Sequence, residues 1–182
     1  MAQEFIYFAG SLPMLFFGEK APVSTALFDE DAQRLIGNKN AELLKKALLY
    51  TEDTGDMPPA VQKFYDWENS LRNALLDLRK KNRPDAADFK RNYPDFYSEI
   101  TSGLAQAAAS ADLLEAENLI DRMRWNALDN FCTGHYSDLT FLAFYRIKLQ
   151  ILEKYQTRTA EAGNQALEDI LSELTGGSEA NK

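Results

Sequence analysis

The stretch Asp112–Tyr155, DLLEAENLIDRMRWNALDNFCTGHYSDLTFLAFYRIKLQILEKY, constrains this chain more than any other part of it. Leu113, Ala116, Leu119, Ile120, Met123, Ala127 and Phe131 recur at three- and four-residue spacing, so they share one face of a helix. Asp112, an acceptor followed three residues later by Glu115, matches an N-terminal capping pattern. Gly134 supplies the stop. Ser137 is placed to cap a second helix, with Leu139, Leu142, Ala143, Leu149 and Leu152 facing inward. Two such helices joined at Thr133-Gly134-His135-Tyr136 predict an antiparallel hairpin. That sets the class as all-α, an irregular multi-helix bundle with long antiparallel helical hairpins. The composition agrees: Leu, Ala, Glu and Lys are plentiful, while Val and Ile are few.

The remainder reads as shorter helices. Residues 4–10 form an apolar element of either type, broken by Ser11-Leu12-Pro13. Ser24 or Thr25 caps a helix that runs to Ile36 and stops at Gly37, and Asn38 caps another over Lys39–Tyr50 with Leu43, Leu44, Ala47 and Leu48 on one face. Residues 51–57 are a polar loop. Pro58-Pro59 opens a helix with Val61, Phe64, Leu71, Leu75 and Leu78 on one stripe and Trp67 and Ala74 beside it. It ends in Arg79-Lys80-Lys81, which suits the negative end of the helix dipole. Arg83-Pro84 is a stop. A short helix is expected over 85–92 and another over Asp95–Ala109, bearing Phe96, Ile100, Leu104 and Ala107. Beyond Tyr155 the last helix either continues or breaks near Gly163-Asn164 before a final helix ending about Leu174. The expected organisation is one helical domain over 1–175, with a sub-lobe boundary near 51–58 and a flexible tail over 176–182. Tyr7, Pro13, Trp67, Leu71, Arg72, Leu119, Arg124, Trp125, Gly134, His135 and Tyr136 are the residues expected to carry structure.

Several function classes fit poorly. A net charge of −8 and a pI near 4.8 argue against nucleic-acid binding, which needs a basic face. The apolar run Phe5–Phe17 lacks a basic flank and holds Pro13, and it is shorter than the roughly 20 residues a membrane helix needs. It reads as buried structure, so direct membrane insertion is not expected. The glycines never reach the spacing of a phosphate-binding loop. One cysteine and one histidine cannot supply the usual zinc ligands, and no Glu-x-x-His pair or EF-hand pattern occurs, so no cofactor or metal is expected. Cys132 and His135 stand three apart at a helix end, but no spacing indicates a third, orienting group, and they read as a small buried hydrophobe and a corner residue. Arg122 and Arg124 read as the polar flank of Trp125, with Arg124 pairing with Asp121 or a neighbouring helix. The cluster Arg79, Lys80, Lys81, Arg83, Lys90 and Arg91 stands out on an acidic chain as a candidate surface for an acidic partner.

Three segments together carry a resemblance: IYFAGSLPML at 6–15, WENSLRNALLDLRKKN at 67–82, and the hairpin with LLEAENLIDRMRWNALDNF, GHY and IKLQILEKY. The chain resembles a family of uncharacterised bacterial helical proteins encoded among V-type (A-type) ATP synthase subunits. That family is similar in turn to the group of stalk components designated C or d in those enzymes. The resemblance implies a non-catalytic part of a rotary ATPase: a helical socket that seats the central stalk on the membrane ring, in the cytoplasm and held near the membrane through its partners in the assembly. The chain is much shorter than the three-lobed members of that group. Two other readings stand beside this one, a helical adaptor or regulatory protein of a different assembly and a small helical enzyme using carboxylates or tyrosines.

Overall fold

The computed structural model describes residues 2–51, 55–79, 97–158 and Gln165, with the backbone alone at Ala2 and Arg79. Six helices make up the described residues: α1 (Ala2–Ser11), α2 (Thr25–Lys45), α3 (Pro59–Arg79), α4 (Ser98–Ala109), α5 (Leu113–Cys132) and α6 (Leu139–Thr157). The fold is an all-α multi-helix bundle. α5 and α6 form the expected long hairpin, turning at Gly134 with φ of 90°, a left-handed conformation that a residue with a Cβ rarely adopts. α6 is the central rod: it packs on α1, α2, α3 and α5, and ten of its residues are buried.

Local chemistry sets the helix ends. Ser24 caps α2 by accepting from Leu27 N, and Glu153 of α6 adds a carboxylate there, accepting from Thr25 N at 2.6 Å and Thr25 Oγ1 at 2.7 Å. A negative charge at a helix N-terminus is favourable because the first amides lack partners. Asp112 caps α5 through Leu114 N. The reciprocal half of that box does not form, because Glu115 accepts instead from Ser110 Oγ at 2.7 Å. The cap of α6 is Asp138 rather than Ser137, and its carboxylate accepts from Phe141 N at 2.9 Å.

Other expectations are corrected in detail. Gly37 does not end its helix. It takes φ 78° and ψ 160°, a kink across which the helix resumes, and the Asn40 amide donates to the Ile36 carbonyl at 2.8 Å to bridge the break. The second half then stops at Lys45 rather than Tyr50, so Leu48 is exposed while Ala47 and Leu49 are buried in the following turn. Leu78 and Leu113 lie on the stripes expected to face inward, yet both are exposed at helix ends. The expected helix over 85–92, the start of the helix at Asp95, the final helix near Leu174 and the tail over 176–182 fall outside the described residues.

Aromatic rings knit the core. Phe64 of α3 sits among Tyr65, Trp67, Phe131 of α5 and Phe144 of α6, with ring centroids 5.6 to 6.5 Å apart. Phe8 of α1, Phe28 of α2 and Tyr145 of α6 form a second stack at 5.1 and 5.6 Å. Each large buried side chain of this kind stabilises the fold by about 1.5–3 kcal/mol of transfer free energy.

Candidate functional site

The most concentrated chemistry lies where α3, α5 and α6 meet. Phe64, Glu68 and Leu71 are spaced four and three apart, so Glu68 sits on the apolar stripe of α3 and is carried into the interior. Ile120, Arg124 and Leu128 do the same on α5, bringing a guanidinium with them. Arg124 Nε donates to Glu68 Oε2 and Nη2 to Oε1, both at 3.0 Å, in the parallel fork that a guanidinium makes with a carboxylate. Its Nη1 donates to Asp121 Oδ1 at 2.8 Å. Burial, the largest single influence, would lower the Arg124 pKa, but the charge and hydrogen bonds of Glu68 together with Tyr50 and Asp121 outweigh it and hold the guanidinium ionised.

Asp121 is fully buried and faces a second set of cations from the far end of α6. Lys154 Nζ lies 3.4 Å from Oδ1. Arg158 Nη1 lies 2.8 Å from Oδ2, off the line a hydrogen bond needs, so that contact is electrostatic. Arg158 also reaches Glu117 Oε2 at 3.3 Å. Arg72 completes the cluster, its Nε donating to Glu68 Oε1 at 3.3 Å. Tyr50 lies over these charges: its ring centroid is 4.3 Å from the Arg72 guanidinium carbon, 5.4 Å from that of Arg124 and 5.6 Å from Lys154 Nζ. A cavity of about 210 Å³ opens beside it, lined by Tyr50, Arg72, Leu75, Glu117, Ile120 and Arg124.

A second polar clamp binds α2 and the turn after it to α6. Arg146 grips Asp29 through Nε and Nη2 at 2.7 and 2.8 Å, and its Nη1 donates to the Ala47 carbonyl at 2.8 Å. Gln150 donates to the same carbonyl at 2.9 Å and accepts from Leu49 N at 2.9 Å. Tyr65 Oη donates to the Leu48 carbonyl at 2.7 Å, and burial pushes its phenol well above the usual tyrosine range.

The residues singled out from sequence separate into groups. Trp67, Leu71 and Trp125 are buried, with Phe17 edge-on to Trp125 and Lys148 over its indole. Leu119 is half-buried, and its neighbour Ile120 takes the inner position. Arg124 makes the expected pairings, with Asp121 and with the neighbouring α3, but it does so as the centre of a buried charge cluster rather than as a polar flank of Trp125. Arg122, by contrast, lies over Phe17. Pro13 is exposed, and its carbonyl accepts from Tyr145 Oη at 2.8 Å. Tyr7 and Tyr136 project outward, 66% and 77% exposed, and contribute little to the core. His135 Nδ1 meets Asp138 Oδ2 at 2.5 Å, and Cys132 Sγ donates to the His135 carbonyl rather than to its ring. Burial raises the Cys132 thiol pKa, the opposite of what a nucleophile needs. Of the basic cluster, only the backbone of Arg79 is described; Lys80, Lys81, Arg83, Lys90 and Arg91 lie outside the described residues.

The N-terminal run is corrected as well. Only Phe8 of it is fully buried; Ile6 and Tyr7 on α1 and Met14 and Phe16 in the segment after it are each more than half exposed. Glu68, Asp29, Arg146, Lys154, Arg158 and Tyr50 were not singled out by sequence reasoning. The signal for several of them was present, namely a charged residue at a core position of an apolar stripe.

Among the described residues no helix is long and apolar enough to cross a membrane, and no three His, Cys, Asp or Glu side chains gather to hold a metal ion. No family model, curated protein or solved structure matches the chain.

Proposed function

We propose that this protein is a non-catalytic component of a V/A-type rotary ATPase, a socket of the C or d type that couples the central stalk to the membrane ring. The exposed apolar side chains Ile6, Tyr7, Met14 and Phe16 of the N-terminal segment carry the binding half of this reading. Large apolar side chains left in water along one segment suit a contact surface, where they act as anchors inside a polar rim. The rotary assembly itself rests on the resemblance of residues 6–15, 67–82 and 113–155. The two polar clamps support a mechanical role, because the buried ion pairs Arg124–Glu68, Arg124–Asp121 and Arg146–Asp29 hold α2, α3, α5 and α6 in one arrangement.

The partners are then the other V/A-type subunits, with ATP hydrolysed elsewhere in the assembly. The test is affinity purification of the full chain from native membranes, with partners read by mass spectrometry. Recovery of stalk and ring subunits supports the proposal. Recovery of a different assembly makes the protein a helical adaptor, and recovery of none removes the rotary reading. Charge reversal at Lys80 and Lys81 should weaken partner capture and leave the melting midpoint nearly unchanged; unchanged capture removes the basic cluster from the contact surface.

A further inference from the structure

The cavity under Tyr50 is not absorbed by a purely mechanical role. Its walls hold a cation with unused donors. Arg72 gives its Nε to Glu68 and its flat face to Tyr50, and its two terminal amino groups have no acceptor among the described residues. The charges around it do not balance. Among the described residues, Arg72, Arg124, Lys154 and Arg158 face Glu68, Asp121 and Glu117, four cations against three carboxylates. Glu68, Asp121 and Arg124 are nearly shut off from water and together carry one negative charge, so the surplus positive charge sits on the partly exposed Arg72, Lys154 and Arg158 at the rim.

We propose that this cavity is a binding site for a single carboxylate carried on a short aliphatic stem. The carboxylate accepts from the terminal amino groups of Arg72 and cancels the surplus charge, while Leu75 and Ile120 cover the stem. A guanidinium presents paired donors that match a carboxylate. The roughly 210 Å³ admits such a group with water, since a water takes about 30 Å³. Glu117 on the wall, its Oε2 held by Arg158, disfavours a dianion such as phosphate. The chemistry is shared by two sources, an acidic side chain of a partner protein and a free short-chain acid. The cavity shares no lining residue with the exposed N-terminal segment and does not depend on the rotary assembly.

The experiment titrates the full chain with propionate while recording amide and arginine Nε–H correlation spectra. Saturable shifts at Arg72 and at the amides around Tyr50 and Ile120 are expected, with none from sodium chloride at equal ionic strength. Arg72→Lys keeps the charge but loses the fork and should weaken binding about tenfold, the scale of one charged hydrogen bond. Leu75→Glu leaves the ion pairs in place, sets a carboxylate at the wall and should abolish binding. A blocked Ala-Glu-Ala peptide that binds more tightly than propionate assigns the site to a partner's side chain; propionate binding at least as tightly assigns it to a free acid. Shifts that chloride reproduces, unchanged binding by both variants, or phosphate binding more tightly than propionate overturn the proposal.

Discussion

Glu68 and Arg124 stand 56 residues apart in the chain and meet through two parallel hydrogen bonds of 3.0 Å inside the bundle. The pair fixes the register of α3 against α5, because sliding either helix by one residue would leave both charges unpaired in a poorly solvated interior. It also separates two contributions that are easily confused. Removing one partner strands a buried charge, whereas removing both strands nothing between them.

Glu68→Ala should therefore destabilise by about 3–5 kcal/mol, the usual cost of breaking a buried pair from one side. The double variant Glu68→Leu/Arg124→Met should lose clearly less than the sum of the single variants. Denaturant unfolding of the four proteins in the cycle measures this, and strict additivity would mean that the two side chains do not interact.

Two glycines that look alike in sequence should respond oppositely to alanine. Gly37 sits at φ 78° and ψ 160°, a region close to glycine-only, so Gly37→Ala should cost about 1–3 kcal/mol even though nothing obstructs the new methyl. Gly10 lies within helical α1, also with open space around it, so Gly10→Ala should gain up to about 1 kcal/mol from helix propensity. Melting midpoints that move in the same direction for both would contradict the kink.

Core truncation should follow burial rather than position on the stripe. Leu128 is fully enclosed, and Leu128→Ala should cost about 2–5 kcal/mol. Leu119 is half-buried, so Leu119→Ala should cost distinctly less. Equal losses in chemical denaturation would place Leu119 in the core.

The phenols set an alkaline limit. Burial pushes Tyr145 up to about 12, and Tyr65 goes higher still, against roughly 10 in an unfolded chain. The folded state then holds protons that the unfolded state has released. Stability from this source is intact below pH of about 10 and falls as pH rises toward the folded values. Phenolate absorbance should rise in two stages, exposed tyrosines first and Tyr65 and Tyr145 with unfolding. A single early transition for all of them would refute the burial of these rings.

How much was legible follows from which forces are local. Apolar periodicity, Pro58-Pro59, Gly134 and Asp112 act within a few residues, so the hairpin and the helical class can be read from order alone. The same reasoning misplaces Leu48, Leu78 and Leu113, since a stripe shows which face could be buried and not where the covering helix ends. The charge cluster was only partly legible. Glu68, Arg124 and Arg146 occupy core positions on their stripes, which marks them as unusual, but neither the stripe nor the spacing names a partner more than 50 residues away.

The order of residues by itself determined that this chain winds into helices and where most of them begin and turn, because capping, proline geometry and side-chain spacing are short-range effects. Only the tertiary arrangement decided that Arg124 answers to Glu68, that Arg146 answers to Asp29, and that Tyr50 roofs a cavity with a spare guanidinium. Electrostatic pairing depends on distance through space and on exclusion of water, and neither exists until the helices have packed.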